Sequence, residues 1–170
     1  FAGTPEEALH LCFGANDVVN LATLLQGEDL GGQWTETSAV PSTNGAFQAG
    51  TGSFSVLGQQ AFTYRFRYVV GSGGACPSSE AFVNVIIEPL PVAQAGTDET
   101  LDCVITETTL DGTCSSTGSN IVYLWMSFDG NILSGATTLS PTVNAAGTYL
   151  LTVTNQLYGC SASDEAVVIA

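Results

Sequence analysis

The chain contains no lysine, and its only basic side chains besides the single histidine, His10, are Arg65 and Arg67. Against 16 acidic residues this leaves a formal net charge of −14. Nucleic-acid binding needs Lys and Arg to neutralise phosphates, so the composition argues against that class of partner. An anionic membrane surface would repel the chain for the same reason. The missing lysine also removes Schiff-base chemistry and Lys–Asn isopeptide cross-links. Any histidine-based triad would have to run through His10, which stands between Leu9 and Leu11 as a solvated strand-edge residue would. No run of 18 apolar residues occurs, so no helix is expected to span a bilayer. The sequence includes no signal-peptide pattern, which is expected of a mature or excised segment. Charged residues make up only 11% of the chain, while Thr, Ser, Gly and Val abound. That profile is β-rich and extracellular, with the acidity serving solubility.

What the chain does have is repetition. Cys12 and Trp34 are 22 positions apart, and so are Cys103 and Trp125. Ala2-Gly3-Thr4 recurs as Ala95-Gly96-Thr97, each ahead of its cysteine. A second cysteine, Cys76 or Cys160, precedes a closing apolar strand containing Glu80-Ala81 or Glu165-Ala166. Internal repeats set architecture before any local reading. They predict two tandem domains, residues 1–90 and 91–170. The last strand, Ala166 to Ala170, stops short of its counterpart Ala81 to Ile87, which is expected of a segment cut from a longer array.

Strand signals dominate each half. Ala61 to Val70 alternates, with Phe62, Tyr64, Phe66 and Tyr68 on one face and Thr63, Arg65 and Arg67 on the other. Gly147 to Asn155 repeats the pattern, with Tyr149, Leu151 and Val153 facing inward. Ile121 to Phe128 and Ala81 to Ile87 are apolar enough to read as central or sandwich-core strands. Gly31-Gly32, Ser42 to Gly45, Gly71 to Gly74, Asp111-Gly112 and Asp129-Gly130 supply the turns. Short strands at this spacing predict an all-β sandwich. One or two helical turns are expected over Val19 to Leu25. Glu88 to Gln94, with Pro89 and Pro91, reads as a linker whose prolines favour extended backbone and hold the halves in line, a flexible hinge being the alternative.

Five cysteines in such a chain point to an oxidising compartment. The repeat makes Cys12–Cys76 and Cys103–Cys160 the natural bridges, with Cys103–Cys114 a competing pairing and Cys114 otherwise left over. Chain entropy would make each long loop closure worth roughly 4 kcal/mol. No Cys/His zinc spacing is present. Trp34, Tyr64, Trp125 and Tyr149 read as core residues, because they follow strand period in both halves. The alternative for such aromatics is a carbohydrate-stacking platform.

Tyr123 to Gly130, then Ala146-Gly147-Thr148-Tyr149 and Val153-Thr154-Asn155, resembles the PKD-like and Ig-like repeats of very large bacterial surface proteins. Ala95-Gly96-Thr97, Leu101-Asp102-Cys103 and Gly159-Cys160 look like the version common in Bacteroidota. The first half is similar to a sister repeat through Cys12, Val19-Asn20-Leu21, Gly31 to Thr35 and Ala75-Cys76-Pro77. The resemblance implies two immunoglobulin-like β-sandwiches in a secreted, cell-surface protein, exported often by the type IX route. It implies roles in adhesion, gliding or fibres, and brings no catalytic residues. Two departures stand out: Cys114 where Gly or Ser is usual, and Gln59-Gln60-Ala61 extending the approach to Tyr64, as a bulge would.

The expected function is therefore a non-catalytic segment or subunit of an extracellular fibre or adhesin stalk, meeting neighbouring domains or subunits head to tail. The alternative is a glycan-binding accessory module using Phe13, Phe47, Phe54 and Tyr158 near the turns. The paired carboxylates Glu6-Glu7, Asp98-Glu99 and Asp164-Glu165 lie near domain ends, without the apolar cleft an acid/base pair requires. Asp98, Glu99 and Asp102 follow the linker and form the one candidate calcium set, since Ca²⁺ takes six to eight oxygens.

Overall fold

The computed structural model describes residues 1–71 and 77–170. Its backbone contacts divide the chain into two compact units, Phe1–Pro89 and Leu90–Ala170. Residues 92 to 94 already belong to the second unit. Val92 N donates to Ser116 Oγ at 2.8 Å and Gln94 N to Ser115 Oγ at 2.9 Å. The connecting stretch is thus shorter than the predicted Glu88 to Gln94.

In the first unit the strands are β1 (Thr4–Pro5), β2 (Leu9–Cys12), β3 (Val18–Asn20), β4 (Leu25–Gln26) and β5 (Gln33–Glu36). They continue with β6 (Phe47–Gln48), β7 (Ser53–Ser55), β8 (Thr63–Val70) and β9 (Ser79–Glu88). One sheet has the order β2-β9-β8-β5 and the other β3-β7-β6, with β1-β4 as a small side ribbon. The helical signal resolves as a single 3₁₀ turn, Leu21–Leu24. Asn20 Oδ1 caps it by accepting from Ala22 N at 3.2 Å.

In the second unit the strands are β10 (Glu99–Thr100), β11 (Thr108–Thr109), β12 (Ile121–Ser127) and β13 (Ile132–Ser134). β14 (Thr142–Val143), β15 (Gly147–Asn155) and β16 (Cys160–Ile169) complete it. The sheet orders are β10-β16-β15-β12 and β11-β14-β13. Both units therefore repeat one plan: an early strand parallel to the last, then the last two strands and the strand that carries the tryptophan, facing a three-stranded sheet. Grouping the third, sixth and seventh sandwich strands against the second, fourth and fifth is the immunoglobulin arrangement. The fold is all-β, two tandem immunoglobulin-like sandwiches joined by a short proline-containing connection.

Period-two alternation fills each core. Tyr64, Phe66 and Tyr68 point inward from β8, and Tyr149, Leu151 and Val153 from β15. Phe54 packs on Tyr64 at 4.9 Å and on Phe66 at 5.0 Å between ring centroids, while Phe47 meets Phe66 at 5.0 Å. Aromatic pairs at such tilted separations add about 0.5–1.5 kcal/mol each beyond their burial. Phe62, expected on the inward face, is 36% exposed just ahead of the strand.

Each sandwich is locked by one tyrosine. Tyr149 Oη donates to Ala145 O at 2.7 Å, four residues upstream. Tyr64 Oη does the same to Gln60 O at 3.3 Å. This is the tyrosine corner of immunoglobulin-like folds, present once per unit. Burial pushes the Tyr64 hydroxyl above its ordinary pKa, against the opposing pull of its bond to Gln60. Gln59, in the extended approach, is buried and gripped at both ends: Thr43 N donates to its Oε1 at 2.9 Å, and its Nε2 donates to Thr43 O at 3.3 Å.

The Ala-Gly-Thr repeat is also structural. Ala2 and Ala95 are fully buried, and Gly3 and Gly96 both adopt φ +87°. A Cβ on Gly96 would stand 2.6 Å from Asp111 O, so the motif needs glycine for space as well as for φ.

The 22-residue spacing does not have that status. Counting from the corner tyrosine along its strand, Trp34 pairs with Tyr68, four residues on, but Trp125 pairs with Leu151, two residues on. The rung of Trp34 belongs to Tyr123 in the second unit. The cysteines disagree as well. Tyr64 faces Val85 and Cys12 faces Glu88, three residues further along β9; Tyr149 faces Ala166, and the residue three further, Ile169, faces Thr100. Cys103 is three residues past the rung that Cys12 occupies.

Candidate interaction surfaces

Cys103 and Cys114 are free and exposed. The expected Cys103–Cys160 bridge is absent, for a geometric reason. β10 runs beside the end of β16, at Val168 and Ile169, whereas Cys160 opens that ten-residue strand. Nine steps of extended chain put roughly 30 Å between the two ends. A disulfide requires Cα atoms within about 7 Å. Asp102 then turns the chain off the sheet. Its Oδ1 accepts from Val104 N at 2.6 Å and Ile105 N at 2.7 Å, leaving Cys103 on an exposed turn. The bond to Ile105 N, then that to Val104 N, holds the Asp102 carboxyl below its ordinary pKa. The competing Cys103–Cys114 pairing is not formed either. Cys12 and Cys160 are disulfide-bonded. Cys12 lies at the last rung of β9, and Cys76, its expected partner, lies outside the described residues.

Trp34 and Trp125 are buried, at 8% and 1% exposure, so neither offers a stacking platform. Trp125 Nε1 donates to Thr138 O at 3.0 Å. Trp34 leans on Tyr68 with ring centroids 4.7 Å apart. Among the glycan candidates, Phe54 is fully buried and Phe47 packs on Phe66, which removes both from any exposed cleft. Phe13 is 47% exposed, and Tyr158 is half-buried.

The calcium candidates do not converge: among the described residues no group of three or more His, Cys, Asp or Glu is placed to hold a metal. Asp98 Oδ1 accepts from Val167 N at 2.9 Å, and Asp102 is committed to its turn. The remaining paired carboxylates are spread in the same way, with Asp164 Oδ2 accepting from Ala95 N at 2.8 Å and Glu6 Oε1 from Gln26 Nε2 at 2.7 Å. His10 Nδ1 meets Glu88 Oε1 at 2.6 Å, tying the first strand of its sheet to the last.

The outer faces of the two four-stranded sheets differ sharply in chemistry. In the first unit, Thr63, Arg65, Arg67 and Val69 point outward from β8, beside Phe82 and Asn84 of β9. Arg65 lies 4.0 Å over the Phe82 ring, and Arg67 Nε reaches Glu80 Oε2 at 2.6 Å. Both arginines of the chain are thus engaged on one face. Exposed pairs of this kind contribute at most about 1 kcal/mol each.

In the second unit the outward strand positions of β12, β15 and β16 include a single charged residue, Glu165. β12 is an edge strand of its sheet and not a central one, while its inward face fills the sandwich core as expected. Ile121, Tyr123 and Trp125 turn inward, and Val122, Leu124 and Met126 turn outward at 37%, 44% and 42% exposure. Next to them stand Leu150, Thr152 and Thr154 of β15, then Glu165, Ser163 and Ser161 of β16. Phe128, beyond the strand, is 99% exposed. A run in which every residue is apolar carries no inside–outside signal, so the sequence could not assign these side chains to a face.

Among the described residues, no helix is long and apolar enough to cross a membrane. No protein-family model matches the chain, and no curated protein matches it. Solved structures do align with it. Extracellular domains 3–5 of Drosophila OTK share 10% identity at TM-score 0.48, over 95% of this chain and 58% of that one. The insect immune protein hemolin shares 11% at TM-score 0.44, over 100% of this chain and 48% of that one. The titin I-band fragment I67–I69 shares 10% at TM-score 0.44, over 95% and 62%. The chain spans about half to three-fifths of these proteins' lengths. With likeness this loose, the fold rests on the chain's own strand order and tyrosine corners.

Proposed function

We propose that this chain is a non-catalytic structural and interaction segment of an extracellular cell-surface fibre or adhesin stalk. The observation that carries the reading is the duplicated sandwich, closed twice by the same tyrosine corner, with side chains spent on packing and turns. Two further features support it. Cys12 and Cys160 are oxidised, as is usual outside the cytosol. The −14 charge suits a solvated outer surface and opposes binding to anionic polymers. Ladder bonds running the length of β8 and β9, and of β15 and β16, give each unit a long, registered sheet that resists extension.

The test is location. Antibodies against the chain should label intact, unpermeabilised cells that produce it, and brief external proteolysis should remove the signal. Labelling that appears only after permeabilisation would contradict the reading.

A further inference from the structure

We infer that the outer face of β12 and β15 in the second unit is a docking surface for a protein partner that presents apolar side chains flanked by Lys or Arg. The inference rests on the interaction-segment reading above and names its surface and partner chemistry. Three observations meet at this face. Val122, Leu124 and Met126 form an exposed apolar row on an edge strand, and Phe128 extends it almost fully into solvent. Contiguous apolar exposure of this kind is unusual on a soluble domain and marks interaction sites.

The row is flanked by negative charge. Met126 pairs with Leu150, and Leu150 with Glu165, so one line across the sheet runs thioether, isobutyl, carboxylate. Asp129 lies in the bend that follows β12, beside Phe128, its Oδ1 taken by Thr148 N at 2.9 Å. The whole second unit holds eight carboxylates and no basic side chain. A second copy of this unit would bring only more negative charge to the face, and the two arginines of the first unit are already engaged by Phe82 and Glu80. A partner with cations around an apolar centre matches it in both respects.

The partner meets the face and not the strand edge. On the side away from β15, Trp125 N already donates to Ala136 O at 2.7 Å, so the middle of the edge is occupied. Strand addition along β12 is therefore blocked where it would need continuous donors.

The test uses the whole chain and three short synthetic peptides: alternating Leu/Lys, alternating Ser/Lys, and alternating Leu/Glu. Methyl NMR should show the Leu/Lys peptide shifting Val122, Leu124, Met126 and Leu150, with the other two peptides far weaker there. Leu124→Ser with Met126→Ser should weaken binding about tenfold, and Glu165→Lys should weaken it severalfold. These positions face solvent, so circular dichroism should be unchanged; a variant that lost its fold would be replaced by Leu124→Thr with Met126→Thr. Equal shifts with the Ser/Lys peptide would mean diffuse charge attraction and overturn the proposal. So would self-association of the chain through these methyls, which would make a second copy the occupant. Failure here leaves cell-surface labelling intact, whereas failure of that labelling would remove the reading on which the surface depends.

Discussion

The two units use the same strand order but solve the closing contacts differently. In the second, one hydroxyl does two tasks: Tyr149 Oη donates to Ala145 O and accepts from Asn131 N at 2.9 Å. In the first, the tasks are split along β8. Tyr64 makes the corner, while Tyr68 Oη donates to Asp29 O at 2.8 Å and accepts from Gly32 N at 2.9 Å. The tryptophans follow that division, Trp34 moving along to stack on Tyr68 and Trp125 staying beside Leu151. The lesson is that a sandwich of this class is specified by inward alternation and a corner. Neither the rung of the indole nor the position of the sulfur is fixed by the plan.

That comparison can be broken most forcefully at the tryptophans. Trp125→Ala should cost about 3–5 kcal/mol in urea unfolding, since it removes a nearly fully buried ring. Its lost donor to Thr138 O adds to the cavity. Trp34→Ala should cost somewhat less, Trp34 being 8% exposed where Trp125 is 1% exposed. Equal losses would mean that the two indoles play one role after all.

Glycines test the split hydroxyls. A Cβ on Gly130 would stand 2.4 Å from Tyr149 Oη, and one on Gly32 would stand 2.4 Å from the Tyr68 ring. Gly130→Ala and Gly32→Ala should each destabilise by about 1–3 kcal/mol through overpacking. Each should move the near-ultraviolet circular dichroism of its own tyrosine environment. A neutral Gly32→Ala would show that Tyr68 is free to move aside.

Thiols sharpen the comparison further. Under native, non-reducing conditions iodoacetamide should modify Cys103 and Cys114 but not Cys12 or Cys160, read by peptide mass mapping. Cys114→Ser should change stability by no more than about 0.5 kcal/mol. Protection of Cys103 from alkylation would restore the bridge that strand geometry rules out.

The smallest effect concerns the turn that carries Cys103. The folded Asp102 carboxyl titrates below its unfolded value, so the turn's contribution is present above the ordinary carboxylate range and is lost as pH falls through the lower folded value. Amide shifts of Val104 and Ile105 should therefore hold through mild acid and change only below that range. Asp102→Asn should abolish this titration.

Much of this was legible in the sequence, and the exceptions have physical causes. Thr63 to Val70 and Gly147 to Asn155 alternate apart from outward Val69 and Leu150, so their inward sets are legible from period alone. Ile121 to Ser127 was readable as a strand but not as an edge, because apolar residues stand on both of its faces. The Cys–Trp spacing counted residues through loops, whereas rungs count only paired positions, so equal separations ended on unequal rungs. The connection looked longer because Val92 and Gln94 show no hydrophobic period, yet two serines hold their amides. Turn chemistry at Asp102 was the missed signal for Cys103: Asp followed by an exposed Cys-Val-Ile stretch is an Asx turn, not a continuing strand.

One pair of variants addresses the core claim directly, with urea unfolding followed by the fluorescence of Trp125 in a Trp34→Phe background. Tyr149→Phe, which deletes only the corner hydroxyl, should lower stability by about 1–3 kcal/mol by leaving Ala145 O and Asn131 N short of a partner. Cys103→Ser should leave the same transition in place. The reverse outcome, a tolerant corner and a costly loss of that sulfur, would contradict the account.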